Sequence, residues 1–94
     1  MNSKTFEVFE AEARAGGFDE TLERKWAPDT VVDTHSHAFD VQAQVVAGEM
    51  WLTCDGSTQH LKAGDTFALD SHVPHSERYG LEGAALWVAR RNLL

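Results

Sequence analysis

Turn-forming residues recur along most of this chain, at intervals of roughly 8 to 12 residues, between short runs rich in apolar side chains. The clearest turn signal is Asp55-Gly56, a dipeptide that commonly closes a two-residue β-hairpin. Such spacing is typical of proteins built from many short antiparallel strands. The strands that it predicts are Leu22–Trp26, Thr30–His37, Val41–Ala47, Met50–Cys54, Ser57–Lys62, Thr66–Leu69, His75–Tyr79 and Ala84–Arg90.

The number of predicted strands constrains how they can be arranged. Gly48-Glu49 and Glu82-Gly83 are predicted to be turns that separate neighbouring strands. So many antiparallel strands would leave exposed sheet edges unless the sheet folds over itself, as in a closed barrel or a double-sheet jelly roll. The 94 residues of the chain suffice for one small domain. We therefore predict an all-β fold, a small jelly-roll β-barrel over residues 21–94.

The N-terminal segment has a helical pattern instead. Its apolar residues recur at helical spacing, at Phe6, Phe9 and Ala13. Ser3 or Thr5 could cap a helix over residues 6–15, and Gly16-Gly17 would end it. Because so short a helix does not persist alone, we expect residues 1–20 to form a helical leader packed on the barrel.

Composition excludes several classes of function. Eight Lys and Arg against fifteen Asp and Glu give a net charge of −7, which disfavours binding to nucleic acid or to an anionic membrane. The single cysteine, Cys54, cannot form an internal disulfide, and the longest apolar run, Ala84–Ala89, is too short to span a bilayer. We expect a cytoplasmic protein. We also expect a homodimer, because a lone domain of this size buries little surface.

Three histidines are the candidate metal ligands. His35 and His37 are two residues apart, so on a strand they would project to one face, about 6.5–7 Å apart, and could reach one metal ion. His-x-His alone also fits two histidines on a half-exposed strand. His75, which follows Pro74, opens a distant predicted strand. An antiparallel barrel can bring such a residue to its mouth beside the pair.

These residues resemble the two motifs of the cupin family. The first motif is a His-x-His pair followed by a glycine, and it is matched by His35, His37 and Gly48. The second motif is a glycine followed by a single histidine, and it is matched by Gly64 and His75. The resemblance covers roughly residues 26 to 90. It implies the jelly-roll fold and a divalent transition metal (Fe, Ni, Zn, Mn or Cu) bound by the three histidines.

The chain also departs from both motifs. The residues that replace the expected Gly, Pro, Gly and Asn are Asp29, Asp70, His72 and Tyr79. The glutamate of the first motif is missing. Its position falls on Val41 when counted back from Gly48, and on Gln42 when counted forward from His37. If the apolar face of this strand lines the barrel, Gln42 points outward. If a bulge follows Asp40, Gln42 becomes the fourth ligand; Asp40 itself or a water molecule are the other possibilities.

Other polar residues are candidates for proton transfer. Tyr79 shares the inward face of its strand with His75 by parity, and is either a proton-transfer group or a packed aromatic residue. His72 is a second candidate, or simply a turn residue. Glu77 has the same parity, although the motif predicts no ligand there. His60 is predicted to be on the surface.

Three functions are compatible with these patterns. The first is a metal-dependent enzyme, of dioxygenase, isomerase or lyase type, that acts on a small oxygenated acid or a sugar-like ligand. The metal would bind a chelating anion and act as Lewis acid and template. The second is a cupin that binds or senses a small molecule without turnover. The third is a structural barrel whose histidines bind no metal.

Overall fold

The computed structural model of the protein describes residues 4–92. One helix precedes six strands in this part of the chain. In chain order they are α1 (Phe6–Ala15), β1 (Glu20–Trp26), β2 (Val31–His35), β3 (Phe39–Cys54), β4 (Ser57–Lys62), β5 (Thr66–Leu69) and β6 (His75–Asn92).

Two long strands, β3 and β6, run antiparallel through the whole fold. Their register extends from Phe39 opposite Asn92 to Cys54 opposite His75. The turns predicted at Gly48-Glu49 and Glu82-Gly83 are wrong, because both strands continue through a bend. The register shifts there between Val45 and Ala47 of β3, and again where residues 80–83 of β6 lie opposite Glu49. At this bend Gly48 has a φ of +73°, and a Cβ atom on it would clash with the carbonyl oxygen of Gly83.

The bend divides the single six-stranded sheet into two antiparallel halves, which are called the two sheets below. In one of them, the first half of β3 pairs with the second half of β6. Its outer strands are β5, which pairs with β3, and β1, which pairs with β6. The other halves pair with β4 and β2. Among residues 4–92 the sheets remain open at these outer strands. The fold is the predicted small jelly roll, although it is not a closed barrel.

The core lies between the two sheets and follows strand alternation. On β3, Val41, Ala43 and Val45 are buried, whereas Gln42 is exposed. The buried residues that complete this core are Met50, Leu52, Leu61, Leu69, Tyr79, Ala84, Leu86 and Val88. Alternate residues on each half of β3 therefore face this interior, and the candidate site lies at one end of it.

Helix α1 packs on the outer face of one sheet. Its N-cap is Thr5, whose side chain accepts a hydrogen bond from the backbone N–H of Val8, and Gly16 is its C-cap. Ser3, the other predicted cap, lies outside the described residues. Phe9 and Ala13 of the helix are buried against Ala89 of β6. In the part of the chain that is described, no helix has the length and apolar character needed to cross a membrane.

Candidate metal centre

Three histidine side chains converge where β2 meets the start of β6. His35 ends β2 and is the cross-strand partner of His75, the first residue of β6. His37 was predicted on the same strand as His35, but it lies in the loop after β2. The ring centroids of these three residues are 4.4–4.9 Å apart. One ring nitrogen from each lies within 4.8 Å of the other two, so the three could bind one ion.

The backbone orients two of the three rings. Nδ1 of His35 lies 2.8 Å from the carbonyl oxygen of Asp33, and Nδ1 of His75 lies 3.0 Å from that of Val73. Because a carbonyl can only accept, each Nδ1 carries the proton and donates it. In the neutral imidazole each Nε2 then keeps a lone pair, as a metal ligand requires.

The environment of these nitrogens fits a metal ion. Nε2 of His75 is buried and has no hydrogen-bond partner among residues 4–92. Leaving such an atom unsatisfied costs free energy, which a bound cation would offset. Burial of His37, together with the nearby rings of His75 and His35, lowers the pKa of His37 below its usual 6.5. A lowered pKa favours the neutral imidazole, the form that binds metals.

A carboxylate also lies at this cluster. Oε2 of Glu77 is 3.5 Å from Nε2 of His75 and 3.6 Å from Nε2 of His35. Its other oxygen, Oε1, accepts a hydrogen bond from the hydroxyl of Tyr79. Strand parity predicted that Glu77 faces inward, but parity alone did not indicate how close it lies to the two imidazoles.

Tyr79 is a buried aromatic residue rather than an open part of the site. Its ring stacks on Trp26, with centroids 4.7 Å apart. Burial first, and then the hydrogen bond to Glu77, raise the pKa of the Tyr79 hydroxyl above its usual 10. The hydroxyl therefore remains a donor and reaches the histidines only through Glu77.

The structure does not bring the predicted fourth ligands to the cluster. No register shift follows Asp40, so alternation places Val41 inward and Gln42 on the outer face, in a groove beside α1. Asp40 forms an ion pair with Arg91 at 2.8 Å and accepts a hydrogen bond from the backbone N–H of Ser71. Gln42 and Asp40, which were predicted as possible fourth ligands, therefore lie outside the centre.

His72 likewise lies outside the histidine cluster and the cavity beside it. It is exposed, with a φ of +67°, as expected for a turn residue. Its backbone N–H donates to the carbonyl oxygen of His37 at 2.6 Å, which ties the two loops together. His60 is exposed too, and stacks on Trp51 on the outer surface.

A cavity of about 140 Å³ adjoins the three histidines and Glu77. Its apolar wall consists of Trp26, Phe39, Val41, Phe67, Leu69, Leu86 and Val88. Two arginines that sequence reasoning missed, Arg24 and Arg90, also line it. Arg24 lies over the ring of Trp26 at 4.4 Å, and Arg90 lies over the ring of Phe39 at 4.7 Å. Strand parity could have found both. Arg24 is two residues from Leu22 and Arg90 is two residues from Val88, so each arginine shares a strand face with an apolar residue.

Comparison with protein families settles the relationship that the motifs indicated. The family model of the cupin domain matches residues 23–89. This protein is a cupin. The match includes both parts of the histidine cluster, which therefore lies within the cupin domain. A comparison with curated proteins finds no match.

Several solved structures have a similar fold. A protein of unknown function from Rhizobium leguminosarum bv. viciae has 18% identity and a TM-score of 0.73, over 99% of this chain and 98% of that one. An RmlC-like cupin from Shewanella frigidimarina has 23% identity and a TM-score of 0.69, over 80% and 68%. The DMSP lyase DddQ from Ruegeria pomeroyi has 21% identity and a TM-score of 0.71, over 79% and 38%. At these identities the likeness shows the fold alone.

Proposed function

We propose that this cupin is a metal-dependent enzyme that acts on a small oxygenated acid or a sugar-like ligand. Its own ligands to a single divalent ion would be His35, His37 and His75. The observation that carries the proposal is the buried Nε2 of His75, which has no hydrogen-bond partner among the described residues and lies beside two other imidazoles.

The donor set limits which metals fit. Imidazole ligands suit Fe, Ni, Zn and Cu, and Mn less well. When bound, such an ion supplies Lewis-acid polarisation and a template for a chelating oxygen ligand. The protein positions the imidazoles and surrounds them with apolar side chains, which exclude water from one side of the site.

The two arginines of the cavity support an acid as the substrate class. The protein carries a net charge of −7, which by itself repels anions, yet Arg24 and Arg90 both line this cavity. Nε of Arg90 is buried without a hydrogen-bond partner among residues 4–92. A guanidinium can bind a carboxylate through two parallel hydrogen bonds. These groups would hold one end of an acid while its other end faces the histidines.

A second function, ligand binding without turnover, is supported by the placement of the predicted proton-transfer groups. His72 lies outside the cavity, and the hydroxyl of Tyr79 is directed to Glu77. A cupin that binds or senses a small acid through its metal needs neither group to act on the ligand.

Metal analysis of the protein, purified without a histidine tag, tests the proposal. We expect about one equivalent of metal in the wild type and in His60→Ala, an exposed histidine away from the cluster, and none in His75→Ala. The metal-loaded protein is then incubated with a panel of small hydroxy acids, oxo acids and sugars, and product formation is followed by NMR. Metal-dependent turnover supports an enzyme, whereas binding without product supports the second function. Equal metal contents in all three proteins would contradict both.

A further inference from the structure

We propose that Glu77 is the fourth protein ligand of the metal centre, through Oε2, and that Tyr79 positions its carboxylate. This inference rests on the proposed three-histidine site and extends it. It places the acidic ligand on β6, two residues after His75, rather than on β3, where the glutamate of the first cupin motif is expected.

The distances between ligand atoms support shared coordination. Oε2 of Glu77 is 3.5 Å from Nε2 of His75 and 3.6 Å from Nε2 of His35. Both separations are longer than a normal hydrogen bond between N and O. Two ligand atoms that each lie about 2.1 Å from one zinc-like ion at a tetrahedral angle are about 3.4 Å apart. The observed separations are close to that value, so Oε2 is spaced from these two nitrogens as ligands of one ion are; the three nitrogens that lie within 4.8 Å of one another are those of the histidines.

The second oxygen of the carboxylate is already held by the protein. The Tyr79 hydroxyl donates to Oε1, which leaves Oε2 directed towards the imidazoles. Tyr79 cannot move easily, because it is fully buried and its ring stacks on Trp26. Ligating carboxylates are commonly fixed by a hydrogen bond of this kind.

Charge and burial give a further reason for a cation at Oε2. The side chain of Glu77 is only 12% exposed, and a buried carboxylate needs a positive partner. Imidazoles that bind a metal through Nε2 do not supply one, so the ion itself would be that partner. On β3, the inward position is occupied by the apolar Val41, and Gln42 faces outward. Glu77 is therefore the carboxylate placed to complete the centre.

Cobalt binding to the metal-free protein tests the inference. The affinity for Co²⁺ is measured by competition with a chromophoric chelator, and the ligand field is measured from the visible absorption bands. We expect Glu77→Gln to weaken Co²⁺ binding by about 100-fold or more and to shift these bands, since loss of an outer partner alone costs about 10–100-fold. Tyr79→Phe should weaken binding by roughly 10-fold and leave the bands nearly unchanged. The matched control Glu49→Gln removes a carboxylate paired with His60 on the surface and should match the wild type.

The outcomes separate this inference from the proposed function. If the wild type binds no Co²⁺, the three-histidine site is wrong, and the inference is wrong with it. If wild type and Glu77→Gln bind equally and have the same spectrum, the site stands and the role of Glu77 is overturned. A crystal structure of the Co²⁺-loaded wild type decides the question even where a variant does not fold. It should place Oε2 within about 2.2 Å of the ion, and a distance beyond about 3 Å would overturn the inference.

Discussion

Nδ1 of His75 lies 3.0 Å from the carbonyl oxygen of Val73, two residues earlier in the chain. His35 has the same relationship to Asp33, at 2.8 Å. Each ring is thus oriented by its own local backbone. The loop before β6 and the end of β2 therefore present two Nε2 lone pairs to one point before any ion binds, which lowers the cost of organising the site.

A metal bound at this point should stabilise the fold. At about 100 times its dissociation constant, a ligand that binds only the folded state adds about 2.7 kcal/mol. For a domain of this size, each kcal/mol raises Tm by about 4–8 °C. We expect Zn²⁺ to raise Tm of the metal-free protein by roughly 10–20 °C, measured by differential scanning calorimetry. A chelator should reverse the rise, and His35→Ala should abolish it, whereas His72→Ala should keep it. An equal rise in His35→Ala would show that the stabilising ion binds elsewhere.

The bend shared by β3 and β6 depends on the absence of a side chain at Gly48. Gly48 and Gly56 both have positive φ, +73° and +78°, so Ala at either position costs about 1–2 kcal/mol of backbone strain. A Cβ atom at Gly48 would also clash with Gly83 and lie 2.9 Å from Cα of Ala84, whereas one at Gly56 meets nothing within 4 Å. We expect Gly48→Ala to lower the free energy of unfolding by at least about 2 kcal/mol more than Gly56→Ala. Urea denaturation measures both, and equal losses would count against this close approach.

Tyr79 is the only tyrosine in the chain, so its ionisation can be followed directly. Burial and the hydrogen bond to Glu77 raise its pKa in the folded state above the usual 10 of the unfolded chain. A raised pKa means that this contribution to stability is present below about pH 10 and is lost as the pH rises above it. Tyrosinate absorbance at 295 nm should therefore be absent in the native protein at pH 10.5 and present in urea. Native titration near pH 10 would contradict the buried, hydrogen-bonded hydroxyl.

The two arginines of the cavity should control anion affinity without controlling metal affinity. A hydrogen bond between charged groups contributes about 1.5–3 kcal/mol, which corresponds to a change in Kd of about 10–100-fold. We expect Arg90→Gln to weaken malonate binding to the Zn²⁺-loaded protein by at least 10-fold, by isothermal titration calorimetry, and Arg24→Gln to weaken it less, because Arg24 is more exposed. Arg78→Gln is the control, because Arg78 lies over Trp51 on the outer surface. An equal effect in all three variants would indicate general electrostatics instead of a specific contact.

The helix and the shorter strands could be predicted from sequence because local signals decide them. Residues 6–15 and the hairpin around Asp55-Gly56 form as their spacing indicates. The turn predictions at Gly48-Glu49 and Glu82-Gly83 are wrong because glycine occurs both in turns and where two backbones approach closely. Only the pairing of β3 with β6, a contact between distant segments, distinguishes the two uses.

The candidate centre could be predicted only in part, because some of its features depend on contacts between distant segments. His35 and His75 are recognisable from spacing and from the family resemblance, and the register of β2 with β6 places them opposite each other. The inward parity of Glu77 was also visible. Its approach to two Nε2 atoms depends on rotamers and on the hydrogen bond from Tyr79, which no periodic pattern encodes. Gln42 could not be decided from sequence, because one bulge would have reversed its direction.

Anomalous X-ray diffraction from crystals of the metal-loaded protein, recorded at the absorption edge of the bound ion, tests the central claim most directly. The account predicts one strong peak per chain, with ring nitrogens of His35, His37 and His75 each about 2.0–2.2 Å from it. No peak at this position, or a peak bound by other residues while the three rings remain without an ion, would contradict the account.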